Sequence, residues 1–189
     1  MNLEMKRKNI MDAVIFELNE KGADVTVEDV AKKAGVSKKT IYNNFGSKSG
    51  LVDVAIEYTF EQIKNRENFI INDKEMDIID KLKKLVIVLP DRYRNIDFRK
   101  IGELKERNSD IYMKILSRIE SDWEPTLMLF EEAIRQGRIR NVSLPVIRTM
   151  IEASIEIFMD GKELRQCGIE YETAMREMIN IIVDGIRIK

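Results

Sequence analysis

The chain has 189 residues, 44% hydrophobic and 34% charged, and its 32 Lys+Arg against 33 Asp+Glu leave a net charge of -1. Such a composition supports one large or two small cores behind a well-solvated surface, and it excludes a generally polybasic wrapping protein. With no histidine and one cysteine, Cys167, the chain lacks the commonest general base and metal ligand and can form neither an internal disulfide nor a multi-cysteine zinc site.

From Ile10 the apolar positions Ile10, Ala13, Val14 and Leu18 fall at helical spacing, and Gly22 follows as a stop. Thr26 then precedes VEDVAKKA, with Asp29 placed to complete a capping box, and Gly35 ends the segment. Ser37 is the N-cap expected for KKTIYNNF, which Gly46 closes. Ser47 opens a longer helix through Leu51, Val54, Ala55, Tyr58 and Ile63, predicted to fray near Asn72 and Asp73. Two short helices joined by Ala34-Gly35-Val36 have the helix-turn-helix pattern, with Ala31, Val36 and Ile41 as the contacts between them. A plain corner in a helical bundle would show the same spacing.

Charge separates the two readings. Residues 31–50 hold five lysines (Lys32, Lys33, Lys38, Lys39 and Lys48) and no acid. A merely solvated face normally mixes both signs. The second short helix adds Thr40, Tyr42, Asn43 and Asn44, whose hydroxyls and amides can donate to phosphates or read base edges. A basic helix in second place is where a DNA reader is expected.

Further along, Met76, Ile79, Leu82, Val86 and Leu89 predict a helix capped by Asn72 or Asp73 and ended by Pro90. A less apolar segment with Tyr93, Phe98, Ile101 and Leu104 follows. Ser109 opens a helix running to Trp123, which Pro125 kinks or restarts. The pattern resumes through Leu127, Phe130 and Ile134 to Gly137. Pro145 sits near the start of a helix whose polar residues Arg148, Glu152, Glu156, Asp160 and Glu163 form one narrow stripe. The final helix carries Tyr171, Met175, Met178, Ile179, Ile182 and Ile186. Helices this apolar need burial on more than one side, and two copies about a two-fold axis would supply it. Packing within one chain is the alternative. The expected interface residues are Ile147, Ile151, Ile155, Phe158, Met175, Ile179 and Ile182.

The run Thr26–Phe45, with its A-G-V-S-x-x-T-I-Y-x-x-F core and the following Ser47, Lys48 and Leu51, closely resembles the DNA-binding segment of the tetracycline-repressor (TetR) family. The resemblance spans about residues 5–55. It implies an all-α fold with an N-terminal three-helix DNA-binding domain (1–46) and a C-terminal helical bundle (47–189) for effector binding and dimerisation. It also implies that Thr26, Tyr42 and Lys48 touch phosphates. Ser37, Lys38, Lys39, Thr40, Asn43 and Asn44 would lie at the major groove or beside it. Lys39 departs from the family by replacing a small residue, Asn44 by replacing His or Tyr, and Gly50 by replacing an acid. The family implies a homodimer through the last two helices.

The expected function is a ligand-responsive regulator, a repressor released from a palindromic DNA operator by a small effector. A TetR-like activator and an effector-independent DNA-bound scaffold are the alternatives. The large side chains Tyr93, Phe98, Tyr112, Trp123 and Phe130 are candidates to line a pocket for an apolar or aromatic effector, although residue by residue core packing is the commoner role of such side chains. No catalytic residue, metal site or cofactor is expected. A helical-bundle enzyme is the weakest reading, since the chain has neither a Glu-x-x-His motif nor a glycine-rich phosphate loop. No apolar run is long enough to span a membrane and no signal-like region opens the chain, so the expected location is the cytoplasm.

Overall fold

Side-chain caps at Thr26, Ser37 and Asp77 mark where three of the helices begin. The computed structural model describes residues 3–89, 98–121 and 123–188. Among them the chain is all-α: α1 (Leu3–Lys21), α2 (Val27–Ala34), α3 (Lys38–Phe45), α4 (Lys48–Asn72), α5 (Ile78–Val86), α6 (Phe98–Arg107), α7 (Ser109–Glu120), α8 (Glu124–Arg135), α9 (Leu144–Asp160), α10 (Lys162–Cys167) and α11 (Tyr171–Ile186). A 3-10 turn at Gly22–Asp24 follows α1. The β pairing among the described residues is one isolated antiparallel bridge between Ile139 and Arg187.

The chain divides into two compact units. The first comprises residues 1–61 and 96–115, and the second 62–95 and 116–189. The division is not a single cut at Ser47. The first half of α4 belongs to the first unit with the front helices, and α6 returns to pack on α1 and on the 3-10 turn. Lys100 Nζ donates to the Glu20 carbonyl at 2.6 Å, and Arg107 pairs with Asp24 at 2.7 Å.

In the first unit, α1 packs on α2 and α2 on α3. Its core includes Ile10, Met11, Val14, Val30, Ala31, Ile41, Leu51 and Ala55. Each fully buried large aliphatic side chain contributes about 1.5–3 kcal/mol. Ala31 and Ile41 join α2 to α3 as the spacing requires, whereas Val36 is half-buried. The helix α1 begins a full two turns before Ile10. Its first residues, Glu4 to Asn9, are exposed, so burial periodicity had no means of marking the start.

In the second unit, α5 packs on α8 and α11, and α9 packs on α8 and α11. Ile79, Leu82, Leu85, Phe130, Ala133, Ile151, Ile179 and Val183 form its core. Asp77, rather than Asn72 or Asp73, caps α5: its Oδ1 accepts from Ile79 N at 2.9 Å. Asp73 instead caps the preceding turn, accepting from Glu75 N and Met76 N. Pro125 lies in the first turn of α8 and begins that helix. The polar stripe through Glu163 does not belong to one helix. Gly161, at φ +65°, ends α9, and α10 carries Glu163 separately.

The residues expected at a dimer interface on α9 and α11 lie mostly inside the chain. Ile147, Ile151, Met175, Ile179 and Ile182 are buried within the chain itself, and Ile155 and Phe158 are half-buried. The buried five serve the core of the chain itself. The large apolar residues left exposed on these helices are Val146, Met150 and Ile157 on α9 and Ile181 on α11.

Candidate nucleic-acid interface

The connection between α2 and α3 is built by three local devices. Thr26 and Asp29 form a complete capping box: Asp29 N donates to Thr26 Oγ1 at 3.2 Å, and Thr26 N donates to Asp29 Oδ2 at 3.0 Å. Gly35 ends α2 in the left-handed region at φ +66°, where its missing Cβ removes the usual penalty. Its neighbour Val36 donates to the Ala31 carbonyl at 3.0 Å. Ser37 then caps α3, its Oγ accepting from Thr40 N at 3.1 Å. The turn is therefore specified within a few residues, and α3 leaves it at a fixed angle.

Along α3, Ile41 is fully buried and Phe45 half-buried, an i,i+4 pair that fixes the inward face. The opposite positions Lys39, Tyr42 and Asn43, at i, i+3 and i+4, are all exposed. Tyr42 keeps 48% of its surface accessible, which is high for an aromatic side chain with a core beside it. Gly46 closes the helix at φ +72°, its N–H donating to the Tyr42 carbonyl at 2.9 Å. Ser47 Oγ accepts from Gly50 N at 3.0 Å and caps α4, which places exposed Lys48 in the first turn.

Helix dipoles sharpen the electrostatic argument. The first turns of α3 and α4 contain no acid and carry Lys38, Lys39 and Lys48. A cation at a helix N-terminus opposes the dipole, at a cost of about 0.3–1 kcal/mol each. Folding alone gives no reason to place three there, whereas binding an anion does, because exposed N–H groups and ammonium groups then act together. Lys32 and Lys33 differ. They lie at the C-terminal end of α2, where the dipole favours them, and Lys33 Nζ sits 3.3 Å from the centre of the Phe16 ring. The bland reading suits those two.

Some of the anticipated contact groups are already engaged. Thr26 Oγ1 donates to Asp29 Oδ2 at 2.7 Å, so its hydroxyl serves the cap. The Lys21 ammonium lies 2.5 Å from Asp29 Oδ1 and, with the Thr26 bonds, holds the Asp29 carboxyl down to about 2. Thr40 Oγ1 shares a hydrogen bond with Ser37 Oγ at 2.9 Å, and Asn44 Nδ2 donates to the Thr40 carbonyl at 2.7 Å. Lys38 Nζ lies 2.6 Å from Glu28 Oε2, which raises its pKa. The spacing of residues on α3 did not reveal that last pair, because its acid is ten positions earlier on another helix.

The effector candidates do not all fall within one unit. Tyr93 lies outside the described residues, as does the side chain of Phe98 at the start of α6. Tyr112 is buried in the first unit. In the second unit Phe130 is fully buried in the core, while Trp123 is half-buried, with its Nε1 donating to the Ile119 carbonyl at 3.0 Å. The Arg148 guanidinium lies 5.9 Å from the Trp123 ring centre and donates to the Glu120 carbonyl at 2.8 Å.

Two capped short helices with an exposed, lysine-bearing second helix define a helix-turn-helix DNA-binding protein. Residues 10–55 match the family described as bacterial regulatory proteins, tetR family. Over this segment the chain is similar to the TetR family of DNA-binding transcription regulators. It is 25% identical over 179 residues to YvaF of Bacillus subtilis (strain 168), an HTH-type transcriptional regulator described as uncharacterized, covering 95% of this chain and 94% of that protein. It is 24% identical over 180 residues to the nucleoid occlusion factor SlmA of Aliivibrio fischeri (strain MJ11), covering 93% of this chain and 90% of SlmA. Its fold is similar to that of the transcriptional regulator FadR from Bacillus subtilis, solved in complex with stearoyl-CoA, at a TM-score of 0.68 and 21% identity over 95% of this chain and 99% of FadR. No helix among the described residues is long and apolar enough to cross a membrane.

Proposed function

We propose that the protein is a homodimeric, cytoplasmic repressor that binds a pseudo-palindromic operator and releases it when a small apolar molecule binds the second unit. The single observation that carries DNA reading is the exposed face of α3, Lys39-Tyr42-Asn43, flanked by Lys48 at the start of α4. Lys39 and Asn43 are the candidates to meet base edges, since a lysine can donate to guanine O6/N7 and an asparagine can pair with adenine. Tyr42 and Lys48 are the candidates to meet phosphates.

Dimerisation is supported by a new set of residues. Val146, Met150, Ala153 and Ile157 recur at i, i+4, i+7 and i+11 on α9, all exposed, and Ile181 on α11 is 74% exposed. A continuous apolar stripe of this kind on a soluble chain marks a protein contact. A self-complementary copy closes it about a two-fold axis and supplies two α3 helices for two half-sites.

The effector reading rests on Trp123 and its Arg148 neighbour, which offer an apolar surface beside a cation. Stearoyl-CoA, the ligand named with FadR, has both an acyl chain and anionic groups, and it is the first probe to try. The release mechanism is a population shift in which the effector prefers a dimer with α4 displaced, so that the two α3 helices no longer match successive major grooves.

A second reading follows from the likeness to SlmA, whose name describes nucleoid occlusion. Under it the protein is a DNA-bound scaffold occupying many sites and needing no effector. Chromatin immunoprecipitation separates the two. A few palindromic sites overlapping promoters, derepressed when the protein is deleted, are expected for the repressor. Many dispersed sites without transcriptional change would replace it with the scaffold.

A further inference from the structure

Glu28, in the first turn of α2, is an acid that pairs with the DNA-reading helix. Its neighbour Asp29 is consumed locally by Thr26 and Lys21. Glu28 instead reaches across the turn to α3, where its Oε2 lies 2.6 Å from Lys38 Nζ. Both side chains are largely exposed, 71% for Glu28 and 53% for Lys38. Lys38 is the first residue of α3 and lies one turn from Tyr42, beside the exposed Lys39.

An ion pair this exposed contributes little to folding. Its position gives it a different consequence. A DNA phosphate arriving at the start of α3 meets an ammonium already neutralised by a carboxylate. To engage Lys38 it must displace Glu28 and then tolerate that anion nearby.

We propose that Glu28 restrains non-specific DNA binding by holding Lys38 away from the phosphate backbone. Glu28 is thus a positioning residue that acts through Lys38. Lys39 and Lys48 provide the initial attraction, and Lys38 joins only where the DNA offers an acceptor good enough to replace the carboxylate. This inference rests on the assignment of α3 as the DNA-reading helix.

The test uses the full-length protein and a mixed-sequence DNA duplex, titrated at several salt concentrations with wild type, Glu28→Gln, Lys38→Met and the double variant. Glu28→Gln is expected to tighten binding about two- to fivefold per α3 helix, the range an exposed pair supports. It should also steepen the dependence of log affinity on log salt by about 0.9 per lysine released. In the Lys38→Met background the same Glu28→Gln change should lose most of its effect. Equal tightening in both backgrounds would mean that Glu28 acts only as a nearby negative charge, and would overturn the proposal. Unchanged affinity and slope for Glu28→Gln, with wild type binding normally, would overturn it while leaving the DNA-reading assignment intact. A wild type that binds no DNA at low salt would overturn both. Thermal melting of each variant confirms that the α2 cap survives.

Discussion

Lys21 Nζ lies 2.5 Å from Asp29 Oδ1, tying the last turn of α1 to the first turn of α2 at the same carboxylate that completes the Thr26 capping box. One acid thus joins α1 to α2, the helix on which α3 packs. Replacing Thr26 by Ala removes the oxygen that accepts from Asp29 N and should cost about 1 kcal/mol of stability, read from denaturant midpoints.

The same carboxylate gives a pH dependence of defined sign. Asp29 is held at about 2 against an ordinary value of 3.8, first by Lys21 and then by Thr26. A depressed carboxylate stabilises the fold above its unfolded value, and that contribution fades as the pH falls from 3.8 towards 2. Asp29→Asn should be less stable than wild type at neutral pH, with the gap closing through that window. Melts across acid pH that run parallel for the two proteins would refute the assignment.

Gly50 is required by a carbonyl. A Cβ built at Gly50 would stand 2.3 Å from the Phe45 backbone oxygen, so the turn between α3 and α4 would have to move. Gly50→Ala is expected to cost about 1–3 kcal/mol, the usual range for overpacking. Gly185, in the last turn of α11, has nothing within 4 Å of its added Cβ. Gly185→Ala should be neutral or stabilising by up to about 1 kcal/mol through helix propensity.

Tyr42→Phe and Lys48→Ala should weaken binding to specific and mixed-sequence DNA by similar factors, because phosphate contacts carry no sequence information. Lys48→Ala should also lower the salt slope by about two charges per dimer. An unchanged slope in a fluorescence-anisotropy titration would remove Lys48 from the interface.

Exposed and buried positions on α9 should answer differently to a charge. Met150→Glu and Ile157→Glu should give folded monomers near the 22.1 kDa chain mass in sedimentation. Ile151→Glu puts an unpaired carboxylate into the core at a cost of several kcal/mol and should unfold the second unit. A wild type that sediments as a monomer at micromolar concentration would refute the dimer.

Stearoyl-CoA should shift Trp123 emission and weaken operator binding by the same factor by which operator weakens stearoyl-CoA binding. A shift in emission with operator affinity unchanged would show binding without regulation.

The front of the molecule was legible because its determinants lie within four residues of one another. Thr26 with Asp29, Ser37 with Thr40, and Gly35 and Gly46 at positive φ act through adjacent backbone, and chain order alone specifies them. The α5 cap expected at Asn72 or Asp73 and the single stripe expected through Glu163 show the boundary of that logic. Several polar residues could serve as the cap, and Asp77 does so, while Gly161 ends α9 before Glu163 is reached. The inward faces of α9 and α11 lay beyond it altogether. Both sides of α9 are apolar, Ile147 and Ile151 on one and Val146, Met150 and Ile157 on the other. Hydrophobic burial is non-directional, so periodicity identified a helix needing cover on two sides without saying which side the chain itself would cover. Likewise the Glu28–Lys38 pair joins residues ten apart across the turn. The sequence determined the helix-turn-helix and its charge. Tertiary packing decided which lysine is held by an acid and which apolar face remains outside, because both depend on how helices distant along the chain lie against one another.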